Sequence, residues 1–131
     1  MADKSKILTA FNNHFFEFID DVISIFPENT DIQSSKTMFT LTKKLNVTLL
    51  IKIWDKFIEQ PYGEILQQGN IEYFINKDYT EDVNLLKNSQ DVLKGIDGLR
   101  NPIKNMSEYN KAHSLEYLNN LCRLSKAYMA Q

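Results

Sequence analysis

The chain has 131 residues, 43% hydrophobic and 24% charged, with only 4 Gly and 3 Pro; this excludes disordered, collagen-like and disulfide-scaffold classes and favours long regular elements over many tight turns. A net charge of −2 gives the whole molecule no attractive field for nucleic acid or anionic lipid. For 15.3 kDa, surface scaling gives roughly 22,000 Å² unfolded against about 7,000 Å² folded, so one domain, residues 1–131, can bury a core without metal or disulfide.

In "KILTAFNNHFFEFIDDVISIF" the residues Ile7, Leu8, Phe11, Phe15, Phe18, Ile19, Val22 and Phe26 recur at three- and four-residue steps. That spacing predicts an amphipathic helix of about six turns, stopped by Pro27. Thr30 or Asp31 is then placed to cap a second helix, whose expected apolar stripe is Ile32, Met38, Leu41 or Phe39, Thr42 and Leu45. Lys43 and Lys44 complement the dipole of its last turn, and Asn46 is suited both to end it and to cap the next.

Residues Val47 to Ile53 on their own also suit a buried strand, being nearly continuously apolar. Leu50, Ile53 or Trp54, Phe57 and Ile58 nevertheless keep helical spacing up to Pro61, and no second strand-like run exists to pair with them, so a third helix is expected there. "PYGEILQQG" reads as a turn or two of helix closed by Gly69, and "NIEYFINKDY" as a short helix capped by Asn70. Val83, Leu86, Val92 or Leu93, Ile96 and Leu99 predict a helix bent near Asn88 and Ser89; "LRNPIKN" reads as a loop fixed by Pro102. Ser107 caps the last helix, with Leu115, Leu118, Leu121 or Cys122, Ser125 and Tyr128 along one face. The expected fold is all-α, a compact helical bundle of four main helices plus two short ones.

Residues able to carry chemistry are few. Trp54, at helical spacing from Phe57 and Ile58, reads as core rather than as a ligand platform. Two His-x-x-Glu pairs, His14 with Glu17 and His113 with Glu116, match a spacing used by di-metal carboxylate bundles, which also need inward glutamates on two further helices; Glu59 and Glu72 are the candidates. Both pairs fall on the polar sides of their helices, so solvated surface pairs are expected and no metal or cofactor is assigned. Asp78, Glu81 and Asp82 fail as a calcium loop because Glu81 stands where glycine is needed and Lys87 where the bidentate glutamate belongs. The single cysteine, Cys122, rules out an intrachain disulfide, fits a reducing compartment and sits on an apolar face as a small hydrophobe. No nucleophile elbow, phosphate loop or dinucleotide fingerprint is present, so no catalytic residue is assigned and a non-enzyme is expected.

Charge is uneven: residues 47–82 carry three basic and seven acidic side chains, residues 83–131 seven and four. Lys94, Arg100, Lys104 and Lys111 in the C-terminal third are the candidates for touching a phosphate or an acidic partner, with weak, salt-sensitive nucleic-acid binding as the alternative function. Aromatic residues left over once the helices close, Phe16, Tyr73 and Tyr79, are the candidates for a protein partner or self-association. The longest apolar run, "LLIKIW", is interrupted by Lys52 and far shorter than a membrane span, so no membrane association is expected.

Taken as a set, "FNNHFFEFIDDVISIFP", "LTKKLNVTLLIKIW", "IKIWDKFIEQPY" and "IEYFINKDY" resemble small, uncharacterised helical proteins of large nucleocytoplasmic DNA viruses of algae and protists, in order and spacing over the first two thirds of the chain. The resemblance implies an intracellular viral product, in the virion or the host cytoplasm, and brings no activity or functional residue with it. The expected function is therefore non-enzymatic: protein–protein interaction, or a structural or assembly role in the virion.

Overall fold

The computed structural model describes residues 3–77 and 86–131, and the fold is all-α, with no strand among the described residues. Helix α1 spans Lys4–Ile25 and is capped by Asp3, whose carboxylate accepts the Ser5 N–H at 2.9 Å. Its buried face is Ile7, Phe11, Phe15, Phe18, Ile19 and Val22, as the three- and four-residue spacing requires, and it ends at Phe26 just before Pro27.

Helix α2, Thr30–Leu45, is capped one residue earlier than expected. Asn29 Oδ1 accepts the N–H groups of Asp31 and Ile32, so neither Thr30 nor Asp31 is the cap. The expected stripe is corrected as well: α2 buries only Ile32 and Phe39, while Leu41 and Leu45 point into solvent. Phe39 decides this rotation, because its ring meets the Phe15 ring edge-on at 4.9 Å and the whole helix turns to deliver it there.

A strand at 47–53 is excluded. Asn46 ends α2 and its side chain also accepts the Thr48 N–H, opening α3, Leu49–Trp54. Pro61, expected to stop this helix, lies inside a continuous helical rod over residues 49–67, made of α3, a π-helical turn Asp55–Glu59 and α4, Gln60–Gln67. Proline has no N–H for the Phe57 carbonyl, and its ring crowds that carbonyl. The rod absorbs both by widening, so that the Gln60 N–H donates to the Asp55 carbonyl five residues back.

Gly69 closes the rod with a φ of 95°, a conformation that only glycine adopts without strain. Helix α5, Glu72–Asn76, follows without a side-chain cap, so the expected Asn70 cap is not made. Helix α6, Lys87–Asp97, begins at the position expected for a mid-helix bend, with Asn88 and Ser89 in its first turn; Val83 and the rest of that expected helix lie outside the described residues. "LRNPIKN" is not a loop but a short helix, α7, Arg100–Lys104. Pro102 is tolerated there because first-turn N–H groups have no partner within a helix. Helix α8, Glu108–Met129, is capped by Ser107, whose hydroxyl accepts the Asn110 N–H.

The buried apolar residues form one cluster to which every helix contributes. Helix α1 lies along α8, α2 along α6, and α3 touches α1, α2, α6 and α8. Two buried or half-buried amides tie turns to this frame: Asn12 Nδ2 donates to the Val47 carbonyl and Asn119 Nδ2 to the Leu66 carbonyl. The accessible surface is 7400 Å², close to the value expected from mass alone. No helix among the described residues is long and apolar enough to cross a membrane.

Candidate interaction surface

Trp54 is fully buried, its ring within 6.4 Å of the rings of Phe11, Phe15 and Phe74. It is a core residue, and its indole N–H meets no partner in good hydrogen-bond geometry, only a weak interaction with the neighbouring Cys122 sulfur. Burial pushes the neighbouring Cys122 thiol up to about 12, against a smaller downward pull from the Trp54 N–H. Such a thiol is almost wholly protonated at neutral pH.

The two His-x-x-Glu pairs are brought to one place, which the sequence did not predict. His14 on α1 and His113 on α8 both pack against the Tyr117 ring, at 4.8 and 5.3 Å, and Phe18 stacks on the same ring at 5.3 Å. Each histidine holds its own glutamate, His14 Nδ1 to Glu17 at 3.6 Å and His113 Nδ1 to Glu116 at 4.0 Å. The Tyr117 ring is thus the group that the two pairs share. Among the described residues no group of three or more His, Cys, Asp or Glu is arranged to hold one. Burial, with the charges of Asp21 and Glu17 behind it, raises the Tyr117 phenol above its ordinary value. Glu59 and Glu72 are elsewhere, on the π turn and on α5.

Of the basic candidates, Arg100 is spent inside the fold. Its Nη1 meets Asp97 at 2.6 Å and its Nε donates to the Ile75 carbonyl at 2.6 Å, stapling α7 to the end of α5. Lys111 pairs with Glu108 at 3.8 Å, while Lys94 and Lys104 are exposed. Phe16, an aromatic candidate, is half-buried with Lys43 5.4 Å above its ring, and Tyr79 lies outside the described residues. Tyr73 is exposed and pairs with Tyr62 at 6.4 Å in a cleft of about 360 Å³ that Glu72, Asn76 and Lys77 also line.

A hollow of about 620 Å³ is an open groove between α2 and α6 lined by Asp31, Ser34, Ser35, Asp91, Lys94 and Asp97 among others. Beside it, toward the end of α2, lies a smaller apolar hole of about 190 Å³ whose walls include Met38, Leu41, Leu45 and Leu49 from one side and Asn88 and Asp91 from the other. Leu45 and Leu86 are each 83% exposed and Leu41 56%, with Val47 also exposed. Large apolar side chains this open concentrate at the junction of α2, α3 and the start of α6; the sequence stripe hides this, because it counts Leu45 as core and leaves Leu41 and Phe39 as alternatives. The available signal was the offset of Leu41 and Leu45 from Ile32 and Phe39, the two residues of α2 that are fully buried in the core.

Comparison with protein-family models, with curated proteins and with solved structures finds no match to this chain.

Proposed function

We propose that this chain is a non-enzymatic protein–protein interaction module, with a structural or assembly role in the virion of a large DNA virus as the setting implied by its sequence resemblance. The observation that carries the reading is the apolar edge of Leu41, Leu45, Val47 and Leu86, which stands exposed among the described residues. Exposed leucines grouped around an apolar hole are a contact surface waiting for a partner, because their burial is worth about 25 cal/mol per Å². The frame behind that surface is helical throughout: α1 lies along α8, α2 along α6, and the α3 end of the rod touches all four. A reactive centre is not part of the reading: the thiol is buried, the histidines pack on a tyrosine and the half-buried Arg100–Asp97 pair ties elements of the fold together.

The test is purification of tagged wild-type protein and of the Leu45→Asp variant from the native source under gentle conditions. A defined protein partner or second copy, retained by wild type and lost from the variant, is the expected result. A wild type that brings down no protein and scatters light as 15.3 kDa at all concentrations would overturn it. The nucleic-acid alternative rests on Lys94 and Lys104, since Arg100 and Lys111 are paired within the chain. A gel-shift titration at physiological salt that gives no complex removes it.

A further inference from the structure

Going beyond the interaction reading, we infer that the cleft between α4 and α5 binds a small zwitterion carrying a fully methylated ammonium, a betaine. Two tyrosine rings line it, Tyr62 of α4 and Tyr73 of α5, with centroids 6.4 Å apart and planes 36° from parallel. Its volume, about 360 Å³, falls within the roughly 300–1,000 Å³ of small-molecule sites. Tyr73 is 50% exposed, so a large aromatic face here is open to a ligand rather than spent on the core.

The lining selects the chemistry. Tyrosine rings attract a cation within about 6 Å of their centroids, and at this spacing a single ammonium can reach both. Planes 36° apart form a wedge, which a round trimethylammonium fills and a flat heterocycle does not. Methylation also removes the N–H donors that a bare ammonium would have to strip of water, and leaves an apolar shell for the rings to cover. Glu72 lines the same cleft and supplies the countercharge; it is exposed, and none of the ion pairs among the described residues uses it. Lys77, which also lines the cleft, carries the opposite sign and disfavours a bare cation. A zwitterion answers both: its ammonium goes to the rings and Glu72, its acid group to Lys77 and the Asn76 amide. Glu72 opens α5 and Lys77 is its C-cap, so at about 1.5 Å per residue their backbones stand about 7.5 Å apart along the axis, enough to keep the two charges separate. The cleft is open to water and the contacts are few, so the expected Kd is on the order of 10⁻³ M.

Titration of the full ¹⁵N-labelled chain with glycine betaine, followed by NMR, tests the proposal. Saturable shifts at the amides around Tyr62 and Tyr73 are expected. The deciding comparison is tert-butylacetate, which has the shape and carboxylate of betaine but a carbon in place of the charged nitrogen; it should bind at least about fivefold more weakly. Tetramethylammonium, which has the cation and no acid group, should bind at least about threefold more weakly. Y73L should lose at least about fivefold while Y73F, which keeps the ring, retains binding; both are checked for a wild-type helical circular-dichroism spectrum. L45D lies outside the cleft and should bind betaine as wild type does, so this site and the apolar edge stand or fall separately. No saturable shift up to tens of millimolar betaine overturns the proposal, as does tert-butylacetate or tetramethylammonium binding as tightly as betaine, or a folded Y73L that binds like wild type.

Discussion

Gly95 of α6 sits directly on Phe39 of α2: a β-carbon placed on Gly95 would stand 2.6 Å from Phe39 Cζ and 2.5 Å from Met38 Cε. Methionine can swing away, but Phe39 is held by the edge of Phe15 at 4.9 Å. Alanine at 95 recovers about 1 kcal/mol of helix propensity and pays about 1–3 kcal/mol of overpacking, so G95A is expected to lose about 1 kcal/mol net. Gly98, whose nearest new neighbours would be at 3.3 Å or beyond, should tolerate alanine within about 0.5 kcal/mol. Urea denaturation of the two variants measures the difference, and equal midpoints would mean that α2 and α6 are not seated as described.

Trp54→Ala empties the meeting point of Phe11, Phe15 and Phe74. The expected loss is about 3–5 kcal/mol, a large share of the 5–15 kcal/mol by which domains are stable. Because Trp54 is the only tryptophan, wild-type fluorescence reports this site alone; its emission should be blue-shifted in the native protein and move red in a single step with urea. An emission already red in buffer would contradict the burial.

Glu59 sets the sign of one pH effect. Burial on the π turn, then the charge of Asp55, raise its carboxyl above the ordinary value, with Lys126 partly offsetting them. A raised folded-state pKa means that the folded protein prefers the protonated acid. The associated stability is complete below the unfolded-state pKa and is lost as pH rises through the folded-state one. Glu59→Gln should therefore be more stable than wild type at pH 7, with the gap closing below about pH 4. Thermal melts of both proteins across that range check it, and a gap that widened on acidification would refute the assignment.

Cys122 should behave as a reporter of unfolding. With its thiol pushed up to about 12 and no access to solvent, the native protein at pH 8 should resist thiol reagents. Labelling should then proceed only through opening, its rate rising with urea in step with global unfolding. Prompt stoichiometric labelling in buffer would show that the α8 face is open.

Helix existence was legible because apolar spacing is a property of the chain itself: α1 and α8 bury most of the residues their periodicity marks, and Ser107 caps α8 through a bond three residues long. Errors came where a local signal has two outcomes. Pro61 is a stop in an α-helix, yet a neighbouring π turn turns it into a tolerated residue. Pro102 reads as a loop residue until its first-turn place in α7 is known. On α2, Phe39 and the Leu41–Leu45 pair are comparably apolar, and the ring of Phe15 on another helix selects between them. The candidate surface followed from that choice, so it was hidden for the same reason.

What the amino-acid order settled by itself was the class of object: helices, because hydrogen bonds and apolar periodicity close within a few residues, around an interior rich in rings. What tertiary packing alone decided was which apolar residues went unused. Burial is shared among helices far apart in the chain, so Leu45 and Leu86 could be recognised as uncovered only after Phe39, Trp54 and Gly95 had taken their places. The meeting of His14 and His113 on Tyr117 is of the same kind, since a contact across α1 and α8 has no trace in either helix's own pattern.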